Sequence, residues 1–273
     1  KQDRKILQID LNPEMLGNNF KNTLSVAGDA KLVVEDLGIL LKGKTSQKET
    51  SLWVNKLNRQ RQSFWEDAKK EFQAVSKPLK PIRIIAELNR HLDKSTIVIS
   101  DAGTPTPYIT RYLKLAAKNS RFIIPRAYGG LGYAIPAVVG AHYACPDARL
   151  VGLFGDGSLG MSAGELETIS RLNIPAVLIH FNNSTFGWIK ALQKLHCSEK
   201  YFSVDFNAND PVKVAQGFGI KALSIETTDQ LQKGLDIALK SKVPIFLDVK
   251  SEPESDDIPP VYSWIKAQKK SDT

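Results

Sequence analysis

Two short motifs carry residue types suited to chemistry. Gly155-Asp156-Gly157-Ser158 is followed, twenty-seven positions after Asp156, by Asn183 in the pair Asn182-Asn183. A carboxylate oxygen and an amide oxygen are hard ligands that suit Mg²⁺, which takes phosphate oxygens readily into its octahedral shell. Glycines on both sides of Asp156 let an anion approach the backbone, and a helix that follows offers it N-terminal amides. These residues at this spacing describe a clamp for a divalent cation that tethers a diphosphate. The clamp needs two strand ends side by side. Apolar runs precede both motifs, at 150–154 and 176–181. Two parallel strands joined by a crossover helix bring their carboxyl ends together.

The surrounding pattern supplies those strands. From Ile82 onward helix and strand periodicities alternate. Helices are expected at 84–92, 108–117, 132–144, 163–172, 212–218 and 228–239. Strands are expected at 96–100, 122–124, 150–154, 176–181, 222–225 and 244–249. This alternation predicts an α/β fold, a doubly wound and mostly parallel sheet with helices on both faces. Binding sites in such sheets lie at the carboxyl ends of strands, where the strand order reverses. Upstream, a strand at 5–10, the helix start Asn12-Pro13, a turn at Gly28-Asp29-Ala30 and a helix at 31–41 are too little to hold a core. They read as a fragment of a second α/β domain. Residues 43–50 are polar, 52–72 form a charged connecting helix, and Lys77-Pro78-Leu79-Lys80-Pro81 breaks it. The expected division is 1–45, 46–80 as linker, 81–250 as the binding domain and 251–273 as a tail.

Bulk properties exclude several classes. No run of about eighteen apolar residues suggests a membrane span, and Lys1-Gln2-Asp3-Arg4 lacks the apolar core of a secretory signal. Cys145 and Cys197 stand far apart, which suggests a reducing, cytoplasmic setting and argues against zinc or iron–sulfur ligation. The net charge of +8 comes without a nucleic-acid motif and reads as a solvated lysine-rich surface that suits anionic ligands.

The motif pair resembles the signature of thiamine-diphosphate enzymes, Gly-Asp-Gly followed after a fixed gap by Asn-Asn. The likeness extends over Gly129-Gly130-Leu131-Gly132-Tyr133-Ala134-Ile135-Pro136, similar to a segment of acetolactate synthases and benzoylformate decarboxylases, and over Asn183-Ser184-Thr185-Phe186-Gly187. The resemblance implies that Asp156, Asn183 and the Thr185 carbonyl hold Mg²⁺. It implies that Gly155, Gly157, Ser158, Phe186 and Gly187 surround the diphosphate, with further contacts from Gly103 and Thr104, although a plain helix cap at Thr104 or Thr106 explains that turn equally well. Leu131 would wedge beneath thiamine diphosphate and force it into a V, and the Gly129 carbonyl would accept from its 4′-amino group. Acetolactate synthases usually carry methionine at the place of Leu131, and benzoylformate decarboxylases leucine.

Other polar residues have plainer readings. Glu165 and Glu167 suit the start of a helix. His142 and His180 read as structural, His91 as a surface helix residue, and His196 lies beyond the cofactor loop. Trp188 and Lys190 occupy the segment where the family closes its site. The family also uses a glutamate from a pyrimidine-binding domain, from the other subunit of a dimer, and no such domain is recognised here.

The resemblance therefore implies the Mg²⁺- and thiamine-diphosphate-binding half of an acetolactate synthase-like enzyme. That enzyme would decarboxylate a pyruvate-like 2-oxo acid and transfer the two-carbon unit. The alternatives are a simple 2-oxo acid decarboxylase, a ferredoxin-linked oxidoreductase subunit and a non-catalytic partner subunit. The expected partner is a chain or domain supplying the activating glutamate, in a dimer or tetramer, with no nucleic acid and no membrane. The need for FAD is undetermined by these residues.

Overall fold

The computed structural model describes residues 4–44, 47–92, 95–115, 120–261 and 263–264. The chain divides into two compact units, Lys1–Glu66 and Asp67–Thr273.

In the first unit, β1 (Leu7–Asp10) and β2 (Leu24–Ala27) form a parallel pair. Between them Asn12 caps a short 3-10 turn, Pro13–Met15, by accepting from the Glu14 N–H. Helix α1 (Ala30–Leu40) starts at Asp29, whose carboxylate accepts from the N–H groups of Lys31 and Leu32. None of these elements contains a buried residue. Helix α2 (Gln47–Phe72) follows and runs into the second unit.

The second unit contains α3 (Pro81–His91), β3 (Thr96–Ser100), α4 (Pro105–Tyr112), β4 (Arg121–Ile123), α5 (Ala134–Ala144) and β5 (Arg149–Gly155). They are followed by α6 (Asp156–Ser162), α7 (Glu165–Arg171), β6 (Ala176–Asn182), α8 (Gly187–His196), α9 (Pro211–Gly217), β7 (Lys221–Ile225), α10 (Thr228–Lys240) and β8 (Ile245–Lys250). The six strands order as β4-β3-β5-β6-β8-β7, and every pairing is parallel. The expected doubly wound sheet is therefore present. Because side chains alternate across a strand, one face of the sheet carries Ile97, Ile99, Phe154, Leu178 and Phe246. These pack with α5, α7 and α9 into a buried core. Val98, Leu153, Ile179 and Leu247 alternate with them and are equally buried. Helix α10 packs against β6, β7 and β8 and against α3, which in turn meets α4. Burial on both faces explains why β5 and β6 read as unbroken apolar runs rather than alternating ones.

The strand order reverses at β3. The chain leaves it for the edge strand β4, then returns across it to β5. The crevice between the carboxyl ends of β3 and β5 is where such folds bind ligands, and β6 ends beside it.

Most element boundaries fall within one or two residues of those expected. Helix α2 begins at Gln47 rather than 52 and α3 at Pro81 rather than 84, and other differences have physical reasons. The helix expected at 108–117 begins at Pro105, since Pro105 and Pro107 supply a fixed φ where no intrahelical N–H is needed, and it ends at Tyr112. Of the expected extension, 116 and 117 lie outside the described residues. The helix expected at 132–144 starts at Ala134 because Gly132 has φ +83°, a left-handed conformation. The helix expected at 163–172 is present as α7, and a further helix, α6, precedes it and begins at Asp156 itself. Helix α8 follows the cofactor-like loop, in a segment given no element from sequence.

Candidate functional site

β5 ends at Gly155 in extended backbone, and Asp156 is the first residue of α6. β6 ends at Asn182, and the chain turns through Asn183 and through Ser184 at φ +56°. The register pairs Gly155 with Phe181, so the two turns are neighbours. Asp156 Oδ2 accepts the backbone N–H groups of Asn183, at 2.9 Å, and Ser184, at 3.1 Å. Its Oδ1 takes neither and lies 3.6 Å from His180 Nε2. Burial pushes the Asp156 carboxyl up from its ordinary range. His180 and the two amides oppose the shift, and nearby Asp248 adds to it.

His180 belongs to a buried network behind this carboxylate. Its Nδ1 is 2.8 Å from Asp248 Oδ1, which also accepts from Asn182 Nδ2 at 2.9 Å, and Lys250 Nζ stands 3.2 Å from Asp248 Oδ2. His180 Nε2 is buried without a hydrogen-bond partner among the described residues. The ring packs between Phe154 and Phe246. Burial alone would raise Asp248, but its hydrogen bond to His180, the His180 charge, the Asn182 amide and Lys250 together hold it below the ordinary range.

A cavity of about 410 Å³ opens in front of Asp156. Three loops bring candidates to its wall. The turn after β3 contributes Gly103 and Thr104, the turn after β5 contributes Gly155, Asp156, Gly157 and Ser158, and the loop after β6 contributes Thr185, Phe186 and Gly187. Gly129 and Leu131, between β4 and α5, complete it, together with Trp188 and Ile189 of α8 and with Arg126. Gly103 and Gly129 have φ +105° and +66°. A Cβ on Gly157 would overlap the Phe186 ring and stand 3.4 Å from Leu131 Cδ1. Glycine at 157 therefore keeps the floor of the cavity open to a ligand's close approach.

Asn183 is not on the cavity wall. Its Nδ2 donates to Glu254 Oε2 at 3.1 Å, and its Oδ1 accepts the Thr185 N–H at 3.3 Å. The Phe186 N–H is likewise occupied, donating to the Val204 carbonyl at 2.7 Å. Phe186 reaches the cavity through its ring, which packs on Phe206. Thr104 is the N-cap residue of α4 but makes no side-chain cap bond. Its hydroxyl lies by the Glu254 carboxyl instead. Thr106 turns back to donate to the Asp101 carbonyl.

Sequence reasoning passed over three buried acids. Asp101 accepts the Ala102 N–H through Oδ1 and the Ala134 N–H through Oδ2, both at 3.0 Å. It thereby ties the end of β3 to the start of α5 and sets where Gly129 and Leu131 stand. Asp248 pairs in register with His180. Glu254 is fully buried, although it follows the last strand. Its segment is drawn inward because the Ser251 N–H donates to the Asn182 carbonyl, and Leu79 bonds to both Lys250 and Glu252. Burial pushes the Glu254 carboxyl up to about 7, against the Thr104 hydroxyl, its own backbone amide and Asn183, and with the Asp156 charge. One signal was legible: His180 and Asp248 are ionisable residues inside apolar strands, which buried sheets tolerate when paired.

A doubly wound sheet with a glycine-floored cavity at its switch point is the arrangement in which open α/β folds bind ligands. Comparison with known proteins makes this specific. Residues 101–249 match the family described as thiamine pyrophosphate enzyme, C-terminal TPP binding domain, and the chain belongs to that family. It is 30% identical over 265 residues to "Probable acetolactate synthase large subunit" of Methanococcus aeolicus, covering 92% of this chain and 43% of that protein. It is 30% identical over 270 residues to the acetolactate synthase large subunit of Haemophilus influenzae, covering 94% and 44%. The chain thus spans less than half the length of these relatives. The thiamine diphosphate-dependent 4-hydroxybenzoylformate decarboxylase of Rhodococcus jostii RHA1 has a similar structure, with a TM-score of 0.62 and 26% identity. The match covers 67% of this chain and 34% of that one.

Proposed function

We propose that this chain holds Mg²⁺ and the diphosphate of thiamine diphosphate for an acetolactate synthase-like enzyme. That enzyme decarboxylates a pyruvate-like 2-oxo acid and transfers the two-carbon unit. The observation that carries the reading is the division of labour within Asp156. Two backbone amides hold Oδ2, and Oδ1 is free of them in a carboxylate whose burial disfavours its charge. Oδ1 stands 3.6 Å from His180 Nε2, too far for a hydrogen bond, and a divalent cation is a partner it can take. The Asn183 amide oxygen and the Thr185 carbonyl are the proposed companion ligands. Gly155, Gly157 and Ser158 leave room for the diphosphate, with Gly187, Gly103 and Thr104 around it. The Phe186 ring closes one side. Leu131 stands between Gly103 and Gly157, where it would support bound thiamine diphosphate from beneath, and the Gly129 carbonyl would accept from its 4′-amino group. The bound cofactor supplies the electron sink for decarboxylation. The chain's own residues bind it, bend it and shield it from water.

The proposed division of the chain is a central-domain portion at 1–45, a linker at 46–80, the binding domain at 81–250 and a tail at 251–273. A pyrimidine-binding domain with its activating glutamate comes from a partner in a dimer or tetramer, in the cytoplasm. A second reading, simple decarboxylation, draws on Leu131, the residue type that benzoylformate decarboxylases carry there, and on the likeness to the Rhodococcus decarboxylase.

The test is a titration of thiamine diphosphate and Mg²⁺, followed through Trp188 fluorescence, with and without a partner supplying the glutamate. Pyruvate is then added. Acetolactate supports carboligation and free aldehyde supports simple decarboxylation. A reconstituted pair that binds cofactor yet turns over no 2-oxo acid defeats both in favour of a non-catalytic partner.

A further inference from the structure

Glu254 occupies an expensive position. It is fully buried, its Oε1 has no hydrogen-bond partner among the described residues, and an apolar side chain of the same volume would cost the fold less. Asn183 Nδ2 donates to its Oε2 at 3.1 Å, and the Thr104 hydroxyl lies by the same carboxyl. The surroundings are shaped to admit it. A Cβ at Gly187 would overlap the Glu254 carboxylate, so only glycine lets the start of α8 pass this close. The Lys194 ammonium of α8 donates to the Ser255 carbonyl at 2.7 Å, which holds the Glu254 segment against the helix.

An asparagine amide has two ends of nearly equal size, and only the oxygen end binds a cation. With Nδ2 on Glu254, Oδ1 faces the N–H of Thr185, a residue of the cavity wall. The reversed amide would set its oxygen against a buried carboxylate and its NH₂ against the Thr185 N–H. We propose that Glu254 is a positioning residue for the cation site: by accepting from Asn183 Nδ2 it fixes the amide with its oxygen turned toward the Asp156–Thr185 loop. This inference rests on the Mg²⁺-diphosphate reading above. It adds that the segment beyond the last strand helps to build the site. Oriented partners of metal ligands typically change affinity by about 10–100-fold.

The test counts bound Mn²⁺ by electron paramagnetic resonance on the full chain in the presence of thiamine diphosphate. E254M keeps the volume and removes the acceptor, and E254Q restores an acceptor oxygen. E254M is expected to weaken Mn²⁺ binding about 10–100-fold and E254Q to recover most of it. Because Glu254 acts through Asn183, the double variant N183A/E254M should bind no more weakly than N183A. If the wild-type chain binds no Mn²⁺, the Mg²⁺-diphosphate reading falls and this inference with it. If wild type binds but E254M binds equally well, or if the two losses multiply, the inference alone is overturned. Should E254M not fold, the wild-type protein still decides. The Asn183 side-chain NH₂ signals, assigned by their loss in N183A, must show slowed exchange with water, and fast exchange overturns the proposal.

Discussion

Asp156 Oδ2 and the backbone nitrogen of Asn183 lie 2.9 Å apart although the residues are separated by 27 positions. This bond makes the carboxylate part of the fold as well as part of the site. It locks the turn after β6 to the start of α6, so the two candidate ligands cannot drift apart independently. D156N tests the two roles separately. A single amide oxygen can serve the two N–H groups or a cation, but not both well. D156N is expected to remain folded, since it also relieves the burial of a charge, and to weaken Mg²⁺-dependent thiamine diphosphate binding by at least roughly 10–100-fold. Thermal unfolding of the ligand-free protein and the fluorescence titration check the two halves of this expectation.

Gly157 and Gly164 lie seven residues apart and differ in what a methyl group would meet. At 157 it would overlap the Phe186 ring, which cannot easily withdraw because its backbone bonds to Val204 and its face packs on Phe206, with ring centroids 4.5 Å apart. At 164 nothing lies within 4 Å and φ is −57°. G157A should therefore cost about 1–3 kcal/mol and abolish diphosphate binding. G164A should be neutral or stabilise by up to about 1 kcal/mol. Denaturant unfolding of both variants makes the comparison.

The sheet and the turn at Asp156 were legible because both are local statements. Apolar runs separated by helical periods define parallel strands, and glycines around an acid define a turn that meets an anion. The loop after β6 was legible in part. The spacing put Asn183 beside Asp156, but no pattern on one chain segment could show that the Phe186 N–H is consumed by Val204. That bond depends on where residues 204–206 fold back. Glu254 was not legible for the same reason. It follows the last strand in a polar stretch, and its burial comes from bonds to Leu79 and Asn182, far away in sequence. Helix α6 was missed because Gly157 and Gly160 disfavour helix by intrinsic preference. The packing of the turn overrides them.

Leu131 separates a wedge from ordinary core. It is half-buried and lines the cavity, whereas Ile135, four residues on, is fully buried in the sheet core. I135A should cost about 2–5 kcal/mol in stability. L131A should cost less than about 1 kcal/mol, because its side chain borders space rather than close-packed neighbours. If Leu131 supports the cofactor, L131A should still lower turnover of the reconstituted enzyme at least about 10-fold with little effect on diphosphate affinity. The paired stability and kinetic measurements distinguish the two roles. A stability loss in L131A equal to that in I135A would mark Leu131 as core.

Asp248 ties acid sensitivity to the network behind the site. The groups facing it are His180 and Asn182 on β6, Lys250 on its own strand, and the uncharged Ser224 opposite it on β7, with the Asp156 carboxyl close enough to feel its charge. Asp210 shares the surface cavity that Asp248 and Lys250 line. The Asp248 carboxyl is depressed in the folded chain, so the native state binds fewer protons than the unfolded state near pH 4. The stability this contributes is complete above the ordinary carboxyl value of about 3.9 and is lost as pH falls through the lower folded value. Asp101, Asp156 and Glu254 are raised and act with the opposite sign, so the wild-type profile alone is a mixture. The difference between wild type and D248N isolates the contribution. D248N should be less stable by roughly 1–3 kcal/mol at pH 7, the cost of leaving the His180 and Lys250 donors poorly matched in a buried site. The gap should narrow as pH falls below about 4, where the wild-type carboxyl also takes its proton. Guanidinium unfolding at pH 7, 5, 4 and 3 measures it, and a gap that widens toward low pH would mean that Asp248 is not held ionised by His180.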